Sequence, residues 1–237
     1  MIFGADGQER LKGAHVFIAG AGGLGSPVAI YLAVAGVGTI TIVDMDAVER
    51  SNLNRQILHN ERGIGKKKTV SALETLTGYN PDITVNAIDA AITGDNVHEL
   101  VGSADAIVDA MDNYAVRFLL NRVALEKKVP FFHGAIRGWY GQATTILPGT
   151  TPCLECIVRK APPEEVSPVI GTTAGIIGTV QATEVLKFFT GQGDLLAGRL
   201  FIWDGLAAKP EEIRLEKDPA CPACGSGSNR GGPVVNG

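Results

Sequence analysis

The sequence predicts an α/β fold in which a mostly parallel central sheet carries helices on both faces. Three observations support this. Short apolar or β-branched runs alternate with helical stretches along most of the chain, the pattern of repeated strand–helix–strand crossovers. A glycine-rich turn, Gly20-Ala21-Gly22-Gly23-Leu24-Gly25-Ser26, joins the first of those runs to the first long helix, and Asp44 closes the second run nineteen positions beyond Gly25. Hydrophobic residues make up 45% and charged residues 19% of the 237, a balance that fills a core and lies far from that of disordered chains.

In chain order, a short polar lead precedes His15 to Ala19, a compact apolar strand. The glycine turn opens a helix that ends near Gly36, and Thr39 to Val43 forms a β-branched strand with Asp44 at its carboxyl edge. Lys66 to Thr77 reads as a helix, Ile83 to Ile88 and Ala106 to Asp109 as strands, and Tyr114 to Lys127 as an amphipathic helix. Strands return at Pro130 to Ala135 and Ala143 to Leu147, and antiparallel C-terminal strands are expected. The Pro-rich acidic stretch Ala161 to Pro168 reads as a loop before a long helix, Gly175 to Phe189, and a strand, Leu200 to Trp203. A small, polar tail follows from about residue 225 to 237. The length suits one domain spanning residues 1–237.

A formal charge of −4 gives no basic footprint for nucleic acid or an anionic membrane, so small ligands or protein partners are expected. Of two apolar stretches, Leu24 to Val37 is too short to span a bilayer and Val169 to Phe189 carries Gln181, Glu184 and Lys187; both read as buried helices rather than membrane spans. The start, Met1-Ile2-Phe3-Gly4-Ala5-Asp6, lacks the basic residues and long apolar run of a secretory signal, so a cytoplasmic protein is expected. The four cysteines fall in two Cys-x-x-Cys pairs. In a reducing compartment such pairs point first to a metal.

The glycine turn suits a phosphate. Gly20, Gly22, Gly23 and Gly25 let backbone amides approach an anion, and the helix that follows offers roughly half a positive charge at its N-terminus. Asp44, at the end of the next strand, is placed to accept hydrogen bonds from ribose hydroxyls. These features alone do not separate ATP from a nicotinamide dinucleotide, and glycines that serve only helix–strand packing are the plainer alternative. Ser51-Asn52-Leu53-Asn54-Arg55-Gln56 adds amides and a cation near the same sheet edge. A triphosphate needs such cations, because bringing a carboxylate to its α-phosphate sets like charges about 4 Å apart, at roughly 4 kcal/mol per pair in an effective dielectric of 20. Arg55 and Lys68 are the candidates, with Lys66 and Lys67 as solvated neighbours. Asp112-Asn113 falls between a strand and a helix, where helix capping and magnesium binding are both open to it. Cys153, Cys156, Cys221 and Cys224 suit a closed tetrahedral zinc site, with a redox dithiol as the alternative. His15, His59, His98 and His133 show no catalytic spacing and read as packed or surface residues.

Taken in order, Gly20-x-Gly22-Gly23-x-Gly25, Asp44, the segment from Ser51 to Gln56, Lys68, Asp112-Asn113 and the paired Cys-x-x-Cys motifs resemble the MoeB/ThiF/HesA adenylyltransferase family of the ubiquitin-activating-enzyme superfamily, over residues 4–224. The resemblance implies a Rossmann-like, ThiF-type adenylation domain with a structural zinc site. It also implies ATP-dependent adenylation, with Mg2+, of the C-terminal glycine of a β-grasp sulfur-carrier protein resembling MoaD or ThiS and ending in Gly-Gly, and a homodimeric enzyme. By that likeness Gly23, Asp44, Asn52, Arg55, Lys68 and Asp112 fall on nucleotide and metal positions, Arg55, Lys68 and Asp112 being the catalytic set, while Ser51, Asn54, Gln56 and Asn113 complete the nucleotide site. Ala161 to Pro168 resembles the crossover segment that lies over the carrier's tail.

Two departures from the family pattern stand out. Relatives begin with an Arg-Tyr-x-Arg-Gln-like arm whose arginine reaches the partner subunit's phosphates; here the sequence starts past that point, and Arg10 is the substitute candidate. ThiF-like relatives also carry a reactive cysteine after the crossover loop, whereas Glu164 to Ile177 contains none, which implies adenylation without a thioester and a separate sulfur donor, as in MoeB. An NAD-binding oxidoreductase domain and a non-catalytic carrier-binding scaffold are the competing readings.

Overall fold

The computed structural model describes residues 2–161 and 168–225, so most of the Ala161 to Pro168 loop and nearly all of the polar tail lie outside the described residues. The elements in chain order are α1 (Gly4–Gly13), β1 (His15–Ala19), α2 (Gly25–Ala35), β2 (Thr39–Asp44), α3 (Lys68–Tyr79), β3 (Thr84–Asp89), α4 (Val97–Val101), β4 (Ala106–Asp109), α5 (Tyr114–Lys127), β5 (Phe131–Arg137), β6 (Tyr140–Ile146), α6 (Leu154–Ile157), α7 (Gly171–Thr190), β7 (Arg199–Asp204) and β8 (Lys209–Arg214). Short 3-10 turns occupy Arg50–Asn52 and Glu61–Gly63.

One eight-stranded sheet runs in the order β3-β2-β1-β4-β5-β6-β7-β8. Pairing is parallel from β3 through β5 and antiparallel from β5 to β8. The parallel part has the doubly wound topology expected from the alternation of strands and helices, with its switch point between β1 and β4. Strand alternation divides the core into two layers. Val16, Ile18, Val108 and Phe132 face one cluster together with Leu32 of α2 and Val185 of α7; Phe17, Ala19, Ile107 and Phe131 face the other, with Leu120 and Val123 of α5. Burying each of these large side chains contributes about 1.5–3 kcal/mol, so the sheet centre, rather than any local propensity, fixes the register.

The polar lead is in fact α1. Ten residues that include Gly4, Gly7 and Gly13 give little periodic signal, and only Gly7 and Leu11 are buried. Tertiary contacts hold the helix: it packs on α7, and Gln8 Nε2 donates to the Ala35 carbonyl at 3.0 Å. At the other end of the chain, β8 is an edge strand with all six residues exposed, so no alternation marks it. The apolar stretches read as buried helices are α2 and α7. The polar residues of α7 are anchored: Gln181 Nε2 donates to the carbonyls of Asp109 and Phe132, while its buried Oε1 has no partner among the described residues, and Glu184 accepts from Thr145 Oγ1 at 2.7 Å and pairs with Lys187. Among the described residues no helix is long and apolar enough to cross a membrane.

Candidate functional site at the carboxyl edge of the sheet

The glycine turn leaves β1 at the switch point and starts α2. Gly20 has φ of +98°, and a β-carbon there would sit 2.8 Å from the Ala110 carbonyl oxygen; one on Gly25 would sit 2.0 Å from the Gly20 carbonyl oxygen. Only glycine fits either position, which brings the turn hard against the end of β4.

Several elements meet this turn. Asp44, at the end of β2, accepts the Ala21 amide at 2.8 Å through one oxygen and the Asp46 amide at 2.9 Å through the other. Lys68 begins α3 with its side chain only 7% exposed; its Nζ lies 2.8 Å from Asp46 and 3.9 Å from Asp44, which ties the start of α3 to the end of β2. Lys66 and Lys67 point elsewhere, to Glu74 and Asp89, in keeping with their reading as solvated neighbours. The segment from Ser51 to Gln56 folds back over the glycines. Arg55 Cγ lies 3.7 Å from where a Gly23 side chain would start, and Gln56 Nε2 3.7 Å from the equivalent point at Gly22. Arg55 Nη1 donates to the Ser51 carbonyl and to Asn54 Oδ1, both at 3.1 Å. Those two bonds leave most of its five N–H donors unused. Gln56 is buried, and its Oε1 has no hydrogen-bonding partner among the described residues. Asn54 and Arg55 also pack on Gly171, which opens α7. Asn52 completes a reciprocal cap with Glu49, and Ser51 Oγ donates to Glu49 at 3.2 Å, so the first residues of the segment shape the loop.

Asp112 follows β4 by three residues. Asn113, not Asp112, caps α5, its Oδ1 accepting the Val116 amide at 2.9 Å. Asp112 is therefore not needed for capping. It is exposed, and its one side-chain hydrogen bond among the described residues is a long 3.4 Å contact from Asn113 Nδ2. Met111, just before it, has its sulfur 3.5 Å from the point where a Gly20 side chain would begin. Arg55, the Asp44–Lys68 pair and the loop bearing Asp112 thus border one glycine turn. Arg10 is elsewhere, beside Gly191 at the far end of α7 from Gly171; twenty helical residues separate those ends by about 30 Å.

Cys153, Cys156, Cys221 and Cys224 converge, with all four sulfurs within 4.8 Å of one another. The closest sulfur pairs are 3.4, 3.6 and 4.0 Å apart. A tetrahedral zinc with bonds of about 2.3 Å needs sulfurs ~3.8 Å apart, so this set fits the metal and leaves no position open. Without a cation, burial pushes Cys153 far up and Cys224 to about 11, so both favour the neutral thiol that a bound divalent ion would deprotonate. The bridge ties α6 to the C-terminal segment. α5 supports it from below: Arg122 makes a two-pronged ion pair with Glu155, at 2.9 and 3.1 Å, and Asn121 Oδ1 accepts the Leu154 amide at 2.9 Å.

Sequence reasoning missed a buried polar cluster under the switch point. Asp109, wholly buried at the end of β4, accepts from His133 Nδ1 at 2.7 Å and lies 3.6 Å from Arg117 Nε. Burial holds His133 below the usual histidine range, although Asp109 opposes this, so the ring is neutral and donates through Nδ1. A signal was present: Arg117 and Asn121 lie in the stripe Arg117, Leu120, Asn121, Ala124, where helical spacing calls for apolar residues. His59, expected to be packed or at the surface, is packed: its Nε2 contacts the Ala21 carbonyl at 2.9 Å and its Nδ1 contacts Ser71 Oγ at 3.0 Å, which braces the turn from below.

The fold and this edge define a doubly wound α/β domain with a separate cluster of four cysteines that could hold a metal ion. The chain matches the ThiF family over residues 1–223 and belongs to it. It is 42% identical over 230 residues to the SAMP-activating enzyme E1 of Haloferax volcanii, covering 94% of this chain and 85% of that protein. To the sulfur carrier protein adenylyltransferase of Thermus thermophilus it is 39% identical over 233 residues, covering 94% and 86%. Among solved structures it superposes on E. coli MccB, crystallised with AMPCPP and MccA, with a TM-score of 0.85 and 26% identity, covering 94% of this chain and 71% of that one.

Proposed function

We propose that this chain is an adenylyltransferase that uses ATP and Mg2+ to activate the C-terminal glycine carboxylate of a ubiquitin-like sulfur-carrier protein, MoaD- or ThiS-like and ending in Gly-Gly. The observation that carries the reading is the convergence of Arg55, the Asp44–Lys68 pair and the Asp112 loop on the glycine turn. A relative named as a sulfur carrier protein adenylyltransferase, another named as a SAMP-activating enzyme E1, and a structural neighbour crystallised with AMPCPP and MccA support it.

In this reading the amides of Gly20 to Gly25 and the start of α2 receive the phosphates, and Asp44, whose oxygens retain free lone pairs beside the Ala21 and Asp46 bonds, accepts the ribose hydroxyls. The carrier's carboxylate oxygen attacks the α-phosphorus; the bond from that phosphorus to the β-bridging oxygen breaks; pyrophosphate leaves and an acyl-adenylate remains. No general base is required, because a carboxylate is already ionised at neutral pH. Catalysis is positioning and charge compensation. Arg55 donates its unspent N–H groups to phosphate oxygens, and Lys68 adds a buried positive charge near them. Asp112, exposed and released from capping, is the residue that would hold Mg2+, which supplies charge neutralisation on the phosphates when bound.

Cys153, Cys156, Cys221 and Cys224 would hold zinc as a structural clip. All four cysteines of the chain are committed there, so none is left for a thioester, and sulfur comes from a separate donor. The packed helices α2 and α3 leave Tyr31, Val34, Val70 and Leu73 exposed, an apolar surface suited to a second copy of the chain in a homodimer. We read residues 1–237 as one cytoplasmic adenylation domain. The test is Asp112→Ala: carrier-dependent exchange of pyrophosphate into ATP should disappear while zinc content and far-ultraviolet circular dichroism stay at wild-type values. Unchanged exchange would remove the metal role of Asp112.

A further inference from the structure

Asp112 is exposed, and its side chain makes only the long contact with Asn113. A carboxylate that must meet a cation at a fixed point cannot rely on its own packing here. Its placement has to come from the backbone on either side of it.

On the C-terminal side, Asn113 caps α5 and so fixes where the helix begins. On the N-terminal side, both polar groups of Met111 are held. Its amide donates to Asp109 Oδ1 at 3.1 Å. Its carbonyl accepts twice from Arg117, from Nε at 3.2 Å and from Nη2 at 2.5 Å. Arg117 sits one turn into α5 with its side chain 5% exposed, its guanidinium 5.0 Å from the centre of the Tyr114 ring and its Nε 3.6 Å from Asp109 Oδ2. Asp109 is itself fixed: Oδ2 takes His133 Nδ1 at 2.7 Å, and its main-chain carbonyl takes Gln181 Nε2 at 2.8 Å. The result is a closed circuit of buried groups, drawn from β4, β5, α5 and α7, that grips the peptide groups immediately before Asp112.

Such a circuit is expensive as mere core. A buried ion pair is often no better for stability than an apolar pair of the same volume, whereas a guanidinium offers several donors in a rigid fork. Here that fork is aimed at one carbonyl of the loop under the glycine turn. We infer that Arg117, working with Asp109, is the positioning residue that holds Asp112 where the cation is bound. This rests on the proposed metal role of Asp112. Arg117 touches neither nucleotide nor carrier tail in this scheme; it acts through the Met111 carbonyl.

Lysine at position 117 would keep the charge opposite Asp109 but could not make the forked contact, so Arg117→Lys separates positioning from charge balance. The readout is Mn2+ binding, followed by electron paramagnetic resonance, to the protein saturated with the non-hydrolysable ATP analogue AMPCPP, together with the Mg2+ concentration that half-saturates carrier-dependent pyrophosphate exchange. For Arg117→Lys, Mn2+ affinity should fall about tenfold and the Mg2+ requirement should rise by a similar factor, with zinc content unchanged. Asp112→Ala should lose Mn2+ affinity further, and the double variant should be no worse than Asp112→Ala, because both changes remove the same interaction. Wild-type Mn2+ affinity in Arg117→Lys alongside a loss in Asp112→Ala would overturn the inference and leave the metal role of Asp112 standing. Wild-type affinity in Asp112→Ala would remove that role, and the inference with it. If Arg117→Lys fails to fold, Asp109→Asn carries the same test: reduced Mn2+ affinity supports the inference and wild-type affinity overturns it.

Discussion

Two regions of this protein assemble residues from distant parts of the chain and do so in opposite ways. At the carboxyl edge of the parallel strands, charged groups keep unused capacity: Arg55 spends one nitrogen on local contacts, Asp112 is exposed, and Gln56 Oε1 has no partner among the described residues. At the cysteine cluster everything closes inward, with four sulfurs at metal-binding spacing and a buried Glu155 locked to Arg122. Unspent polar capacity marks the region built to receive a ligand. Inward closure marks the region built to hold the chain together, although Asn121 Nδ2 there is buried without a hydrogen-bonding partner among the described residues. α5 serves both, with Asn113 and Arg117 at the first end and Asn121 and Arg122 at the second.

If the contrast is real, damage at the two regions should have different signatures. Asp112→Ala should give the largest effect on chemistry, a loss of pyrophosphate exchange of at least about 100-fold, with thermal stability within about 0.5 kcal/mol of wild type. A coupled loss of stability would show that the two regions are not separable. Cys221→Ser should do the reverse, lowering zinc content toward zero in elemental analysis and costing several kcal/mol in urea unfolding, because binding to a structural thiolate site contributes to folding. Normal stability in a zinc-free variant would show the clip to be dispensable. Arg122→Ala should be milder. Its side chain is half exposed, so the loss should be about 1 kcal/mol or less, seen most clearly as faster zinc release to a chelator. Wild-type release would mean that Glu155 needs no partner to hold its loop.

The smallest effect concerns pH. Burial is the main cause that lowers both His133 and His59, so each is neutral when folded and readily protonated when unfolded. The unfolded chain therefore binds more protons, and stability is complete above an unfolded value of about 6.5 and is lost as pH falls below it toward the depressed folded values. The urea midpoint should fall between pH 7 and pH 5, and His133→Asn should flatten part of that slope. An unchanged slope would assign the dependence to other groups.

How much of this was legible beforehand depended on whether a residue's role was local. β1, β4 and α5 fall where the sequence places them because their patterns are strong and their ends are marked by glycine or by a capping Asn113. Helix α1 and strand β8 did not announce themselves, since one is held by α7 and the other lies exposed at the sheet edge. The residues that line the glycine turn were readable as motifs, and so were the four cysteines. The residues that support those motifs were not. Asp109 reads only as the end of a strand and His133 only as a packed or surface residue; their roles exist only after β4 and β5 pair and α5 packs across them. Arg117 was the partial exception, a charge in an apolar stripe.

The most direct measurement is exchange of radiolabelled pyrophosphate into ATP by the wild-type chain, with and without a Gly-Gly-ended carrier protein. Exchange that requires the carrier, and is lost when the carrier's terminal carboxylate is blocked as an amide, is the predicted result. ATP binding without any exchange, or exchange indifferent to the carrier, would contradict the assignment of this sheet edge to carboxylate adenylation.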